Sequence, residues 1–91
     1  MNEPALDLAI ILALVSSMKD KPVNPRTIIF GEVGLSGEVR AVSQAEQRVN
    51  EAIKLGFEAC ILPKVSLEKM KHTDKIRLYG VNNVREAINL I

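Results

Sequence analysis

Three observations predict an α/β fold built as an α+β two-layer domain. Strand-like and helix-like segments alternate through the second half of the chain, as parallel strands joined by crossover helices require. The chain has 91 residues, of which 47% are hydrophobic and 25% charged, the proportions of one small folded domain. Aromatic residues make up only 3%, so the core must be aliphatic, and platforms for stacking bases or sugars are scarce. No linker, internal repeat or low-complexity run divides the domain, which is taken as residues 1–91.

Residues 4–18 read as the first helix. Glu3 and Pro4 suit a first turn, where backbone N–H groups lack partners anyway, and Asp7 lies near the positive end of the helix dipole. Ala5, Leu6, the unbroken apolar run 8–15 and Met18 leave almost no polar face, so burial on more than one side is expected. Asp20, Pro22, Asn24 and Pro25 mark a turn, after which Thr27, Ile28, Ile29 and Phe30 read as a central strand bounded by Gly31. Gly31, Gly34 and Gly37 interleaved with Val33, Leu35 and Val39 predict a hairpin or bulged strand pair. Ser43 and Glu46 match a capping box for a helix with Ala45, Val49, Ala52 and Ile53 on one face, ending at Gly56. Residues 58–62 read as a strand closed by Pro63, Ser66 as the cap of a short helix reaching Lys71, and residues 76–81 as another strand. Asn83 with Glu86 opens a last helix striped by Val84, Ala87, Ile88 and Ile91.

Few residues offer chemistry. One His, His72, and one Cys, Cys60, with no spaced acidic cluster, argue against a metal site. His72 reads as the end of a short basic helix, near its carbonyls. The three hairpin glycines are not followed by Lys-Ser/Thr or a helix start, so they are neither a P-loop nor a dinucleotide fingerprint. Among possible nucleophiles, Ser16 and Ser17 fall near a helix end, Ser43 and Ser66 read as caps, and Cys60 reads as core. Ser36 at the hairpin tip is left without a structural duty, and no base is placed beside it. Cys60 cannot close an intrachain disulfide, the longest apolar run is far short of the roughly 20 residues of a membrane span, and no signal-peptide pattern is present. A cytoplasmic chain without membrane contact is expected.

Charge is uneven although the net is only +1. Residues 1–20 set Lys19 against Glu3, Asp7 and Asp20, whereas residues 64–77 hold Lys64, Lys69, Lys71, Lys75 and Arg77 against Glu68 and Asp74. Such a run is either a solvated face or a phosphate-contacting patch, to which Arg40 and Arg48 would add.

Three segments carry a family resemblance. They are residues 3–9 with Ala13-Leu14-Val15-Ser16-Ser17, then Gly31-Glu32-Val33-Gly34-Leu35-Ser36-Gly37-Glu38-Val39-Arg40, then Leu55-Gly56-Phe57 leading to Leu62-Pro63-Lys64. Together they resemble the C-terminal Lon-protease-like domain of the RadA/Sms bacterial DNA-repair family, over nearly the whole chain. The resemblance implies the fold of Lon proteolytic domains and of ribosomal protein S5 domain 2, with N-terminal strands that begin upstream of Glu3, so that Met1 and Asn2 would start partway into the family's domain. It also implies a larger parent with a zinc finger and a RecA-like DNA-dependent ATPase, to which zinc and ATP belong; no cofactor is expected for the residues present.

The alignment departs from Lon at both catalytic positions. The nucleophilic serine falls on Ala5 and the catalytic lysine on Glu46. A methyl group cannot attack a carbonyl, and a carboxylate is no substitute for an amine base. The expected function is therefore a proteolytically inactive domain that assembles with copies of itself into a ring and contacts DNA weakly and without sequence preference. The alternatives are a Lon-type serine peptidase and an oligomerisation module without DNA contact.

Overall fold

The computed structural model describes residues 4–71 and 73–91. The expectations placed on Met1, Asn2, Glu3 and His72 lie outside the described residues. A 3-10 turn at Pro4–Leu6 enters α1 (Asp7–Lys19), followed by β1 (Thr27–Ile29), β2 (Glu32–Val33), β3 (Val39–Arg40), α2 (Ala45–Lys54), β4 (Ala59–Pro63), α3 (Lys64–Leu67), β5 (Arg77–Val81) and α4 (Val84–Ile88).

The alternation of strands and helices produces parallel pairing. The main sheet has the order β1-β4-β5, with Thr27 opposite Ala59 and Ala59 opposite Arg77. The glycine-spaced segment forms the expected hairpin, in which β2 and β3 pair antiparallel with Val33 opposite Val39. Central β4 is buried at every residue. Cys60 and Leu62 join Phe30, Val49 and Ala52 on one side, while Ile61 joins Leu8, Leu12, Val81 and Ala87 on the other. Helices thus cover both faces, α2 on one and α1 with α4 on the other. The two layers expected from sequence are three, because a strand apolar on both sides must be covered on both.

Burial of α1 on more than one side is also corrected. Leu8, Leu12 and Ser16 face inward, but Leu6, Ile10, Leu14 and Met18 are 50%, 56%, 62% and 86% exposed. The described part of the chain offers α1 the sheet face and α4, and nothing over its other side. The helix ends where Asp20 adopts a left-handed φ of 55°, its N–H directed at the Ser16 and Ser17 carbonyls, and the buried Ser16 hydroxyl donates to the Lys21 carbonyl.

Two expected caps are replaced by tertiary bonds. Gln44, not Ser43, precedes α2, and the Glu46 carboxylate accepts the Lys71 N–H at 3.0 Å. Ser66 lies inside α3, which stops at Leu67 rather than Lys71, and its buried hydroxyl accepts the Val42 N–H at 3.2 Å. In both cases a remote backbone donor takes a side chain that the local pattern assigned to a helix start. β1, expected as the central strand, is an edge strand: its three residues are only partly buried, and β4, buried throughout, takes the centre. The signals at the end of α2 and the start of α4 hold. Gly56, with φ 89°, follows α2, its N–H meeting the Ile53 carbonyl while the Phe57 N–H meets that of Ala52. Asn83 caps α4 by accepting the Glu86 N–H at 2.9 Å, and Glu86 reaches back to the Asn82 N–H at 2.7 Å.

Candidate nucleic-acid interface

Pro63 ends β4 in extended geometry and the chain turns at once into α3. That short helix lies directly on β5 because residue 80 is glycine. A Cβ there would approach Leu67 Cδ2 to 2.9 Å and the Lys64 Cα to 3.1 Å. The chain then crosses toward α2, where Glu46 holds the Lys71 N–H, and returns through Lys75, whose N–H meets Thr73 Oγ1 at 3.3 Å, to enter β5 at Arg77.

Lys64, Lys69, Lys71, Lys75 and Arg77 are all exposed along this path. The ion pairs among the described residues involve other cations, Arg26 with Glu58, and Arg40 with Glu32 and Glu38. Lys71 and Arg77 meet at a cavity of about 580 Å³ beside β5, whose apolar lining comes from Leu67, Met70, Ile76 and Leu78. Tyr79 also lines it and is 37% exposed. Sequence reasoning passed over Tyr79; the signal available was its place between Arg77 and Val81, which puts all three on one side of the strand.

Arg40 and Arg48 are engaged elsewhere. The Arg40 guanidinium meets Glu38 at 3.0 Å and Glu32 at 3.5 Å, and the Glu38 contact raises its pKa. Arg48 donates to the Ser43 carbonyl at 3.2 Å and its guanidinium lies 5.9 Å from the centre of the Phe30 ring.

The positions matched to the Lon dyad also have structural partners. Ala5 is buried among Phe30, Val49 and Ala52, and its carbonyl accepts the Gly31 N–H at 2.8 Å. Glu46 is exposed and holds Lys71 as described. Ser36 is exposed at the hairpin tip, its N–H donating to Glu38 Oε1 at 3.0 Å. Burial pushes the Cys60 thiol up to about 12, which leaves it inert as a nucleophile near neutral pH. No helix among the described residues is long and apolar enough to cross a membrane, and no three His, Cys, Asp or Glu among them gather as metal ligands would.

The family described as "Subunit ChlI of Mg-chelatase" matches residues 2–66, from the start of the chain through the turn into α3. The chain belongs to the ChlI family. Within and beyond the ChlI match it is similar to proteins named DNA repair protein RadA. Identity to that of Bacillus subtilis is 50% over 88 residues, covering 97% of this chain and 19% of the relative. Identity to that of Streptococcus pneumoniae is 45% over 91 residues, covering all of this chain and 22% of the relative. Identity to that of Halalkalibacterium halodurans is 42% over 90 residues, covering 99% and 20%. The chain spans about a fifth of the length of these relatives, so the RadA resemblance carried by the hairpin and α1 extends over the whole of it.

Proposed function

We propose that this chain is a noncatalytic, Lon-like domain of a cytoplasmic DNA-repair protein, of the kind shared with ribosomal protein S5 domain 2. In this reading residues 64–77 contact the DNA backbone and α1 contacts another copy in a ring. The observation that carries it is the set of five exposed cations along one segment, none ion-paired among the described residues. Phosphate neutralisation needs clustered cations and no particular base. The similarity to proteins named for DNA repair supports DNA as the polyanion. The peptidase alternative is disfavoured by the methyl group of Ala5 and the carboxylate of Glu46 where a nucleophile and an amine base would stand. The ATPase and its zinc and ATP belong, in this proposal, to the remainder of the longer relatives.

With a net charge of only +1, a single copy binds weakly, and copies in a ring add their patches. Fluorescence anisotropy with a labelled oligonucleotide across a salt series tests this on the chain and on its Lys69→Glu/Lys71→Glu/Lys75→Glu variant. The variant is expected to bind at least tenfold more weakly, and the slope of log affinity against log salt to shrink by roughly 2–3, at about 0.7–0.9 per phosphate contact. An unchanged affinity and slope in a variant with unaltered circular dichroism sinks the DNA contact and leaves self-association as the domain's role.

A further inference from the structure

We propose that the open edge of β5 receives an extended acidic peptide as an additional antiparallel strand. β5 is the last strand of its sheet. The Arg77 N–H donates to the Glu58 carbonyl at 3.1 Å on the β4 side. In a strand the backbone groups of successive residues point to alternate sides, so Arg77, Tyr79 and Val81 address β4 while Leu78 and Gly80 address the open edge. The next outward residue fits this alternation, since the Asn82 carbonyl accepts the Val39 N–H at 2.8 Å and Asn83 pairs antiparallel with Glu38. The hairpin therefore already occupies the continuation of this edge in antiparallel fashion and stops short of Leu78 and Gly80.

The cavity described above reaches the first of these, Leu78, with Leu67, Met70, Ile76 and Leu78 as apolar lining and Lys71 and Arg77 as its charges; among the described residues no acidic side chain lines it. An occupant that matches alternating N–H and C=O groups is a polypeptide, because a sugar-phosphate chain has no backbone amides to donate. Two cations and no anion select acidic side chains, and the apolar lining selects an aliphatic residue at every second position. This goes beyond the DNA reading: it shares Lys71 and Arg77 with that patch but requires the outward backbone groups of Leu78 and Gly80, which a nucleic acid does not pair.

A blocked nine-residue peptide of alternating Glu and Val, titrated into the chain and followed by NMR and amide exchange, tests the proposal. Exchange at Leu78 and Gly80 is expected to slow at least tenfold at saturation while Arg77 and Tyr79 change little. Lys71→Glu/Arg77→Glu is expected to weaken the peptide at least tenfold and to gain affinity for the matching Lys and Val peptide, a reversal that a misfolded variant does not give. Absence of binding at millimolar peptide, binding without slowing at Leu78 and Gly80, or slowing there by a single-stranded oligonucleotide alone overturns the proposal. None of these results depends on whether the lysine triple variant loses DNA.

Discussion

Glu38 organises the hairpin turn from a nearly exposed position. Its carboxylate accepts the Ser36 N–H at 3.0 Å and receives Arg40 Nη2 at 3.0 Å, and room for it exists because Gly34 has no side chain; a Cβ there would fall 2.1 Å from Glu38 Oε2. The hydrogen bond from its own backbone N–H, then the one from Arg40, hold the carboxyl below the ordinary glutamate range. A depressed folded-state pKa means that the charged form favours the folded hairpin. That contribution is present above the ordinary glutamate value and is lost as the pH falls through the lowered one. An NMR titration is expected to show the Ser36 amide shifting with a midpoint below the ordinary glutamate value, and Glu38→Gln to remove the transition. A midpoint at the ordinary value contradicts the geometry.

At the scale of elements, α1 stands out because its outer side is a ridge at every fourth position, Leu6, Ile10, Leu14 and Met18, with no charged residue between them except Asp7. The Asp7 carboxylate turns in to accept the Val33 N–H at 3.3 Å. Ridges of that spacing interdigitate when helices cross at about −50°, so a second copy is the partner proposed for this side. Sedimentation velocity is expected to show concentration-dependent association, abolished in Ile10→Lys/Leu14→Lys with the fold retained, because both side chains are already more than half exposed. A wild-type monomer at every concentration removes α1 as an interface. Legibility from sequence divides along the same line between local and remote determinants. The α4 start was readable because Asn83 and Glu86 satisfy backbone groups within four residues of themselves, and α2 ended as expected at Gly56. The roles of Ser66 and Glu46 were not, since their donors at Val42 and Lys71 lie 24 and 25 residues away. The cations of residues 64–77 were visible as a run. The meeting of two of them, Lys71 and Arg77, with Tyr79 at one cavity was not, because it depends on α3 folding back over Gly80.

For the molecule as a whole, the residues at the two positions matched to the Lon dyad are held by packing and backbone contacts that need neither a nucleophile nor a base, which is what the proposed noncatalytic reading requires. Ala5 is 4% exposed and its backbone ties the entry of α1 to Gly31, while Glu46 ties α2 to Lys71 within the basic run 64–77. The serines do not compensate. Ser16 and Ser66 are buried and hydrogen-bonded to backbone, and exposed Ser36 has the carboxylate of Glu38 turned to its N–H, with no imidazole or amine described beside it. Unfolded casein is therefore expected to survive incubation with the chain at the rate of a buffer blank, and a fluorophosphonate to leave Ser36 unlabelled. Ala5→Ser with Glu46→Lys is expected to stay inactive as well and to lose about 1–3 kcal/mol of stability, because the new hydroxyl enters the core cluster of Phe30 and Val49 and the Lys71 N–H loses its acceptor. Turnover by the wild-type chain, or a covalent adduct at Ser36, would return the domain to the serine peptidases and displace the noncatalytic reading.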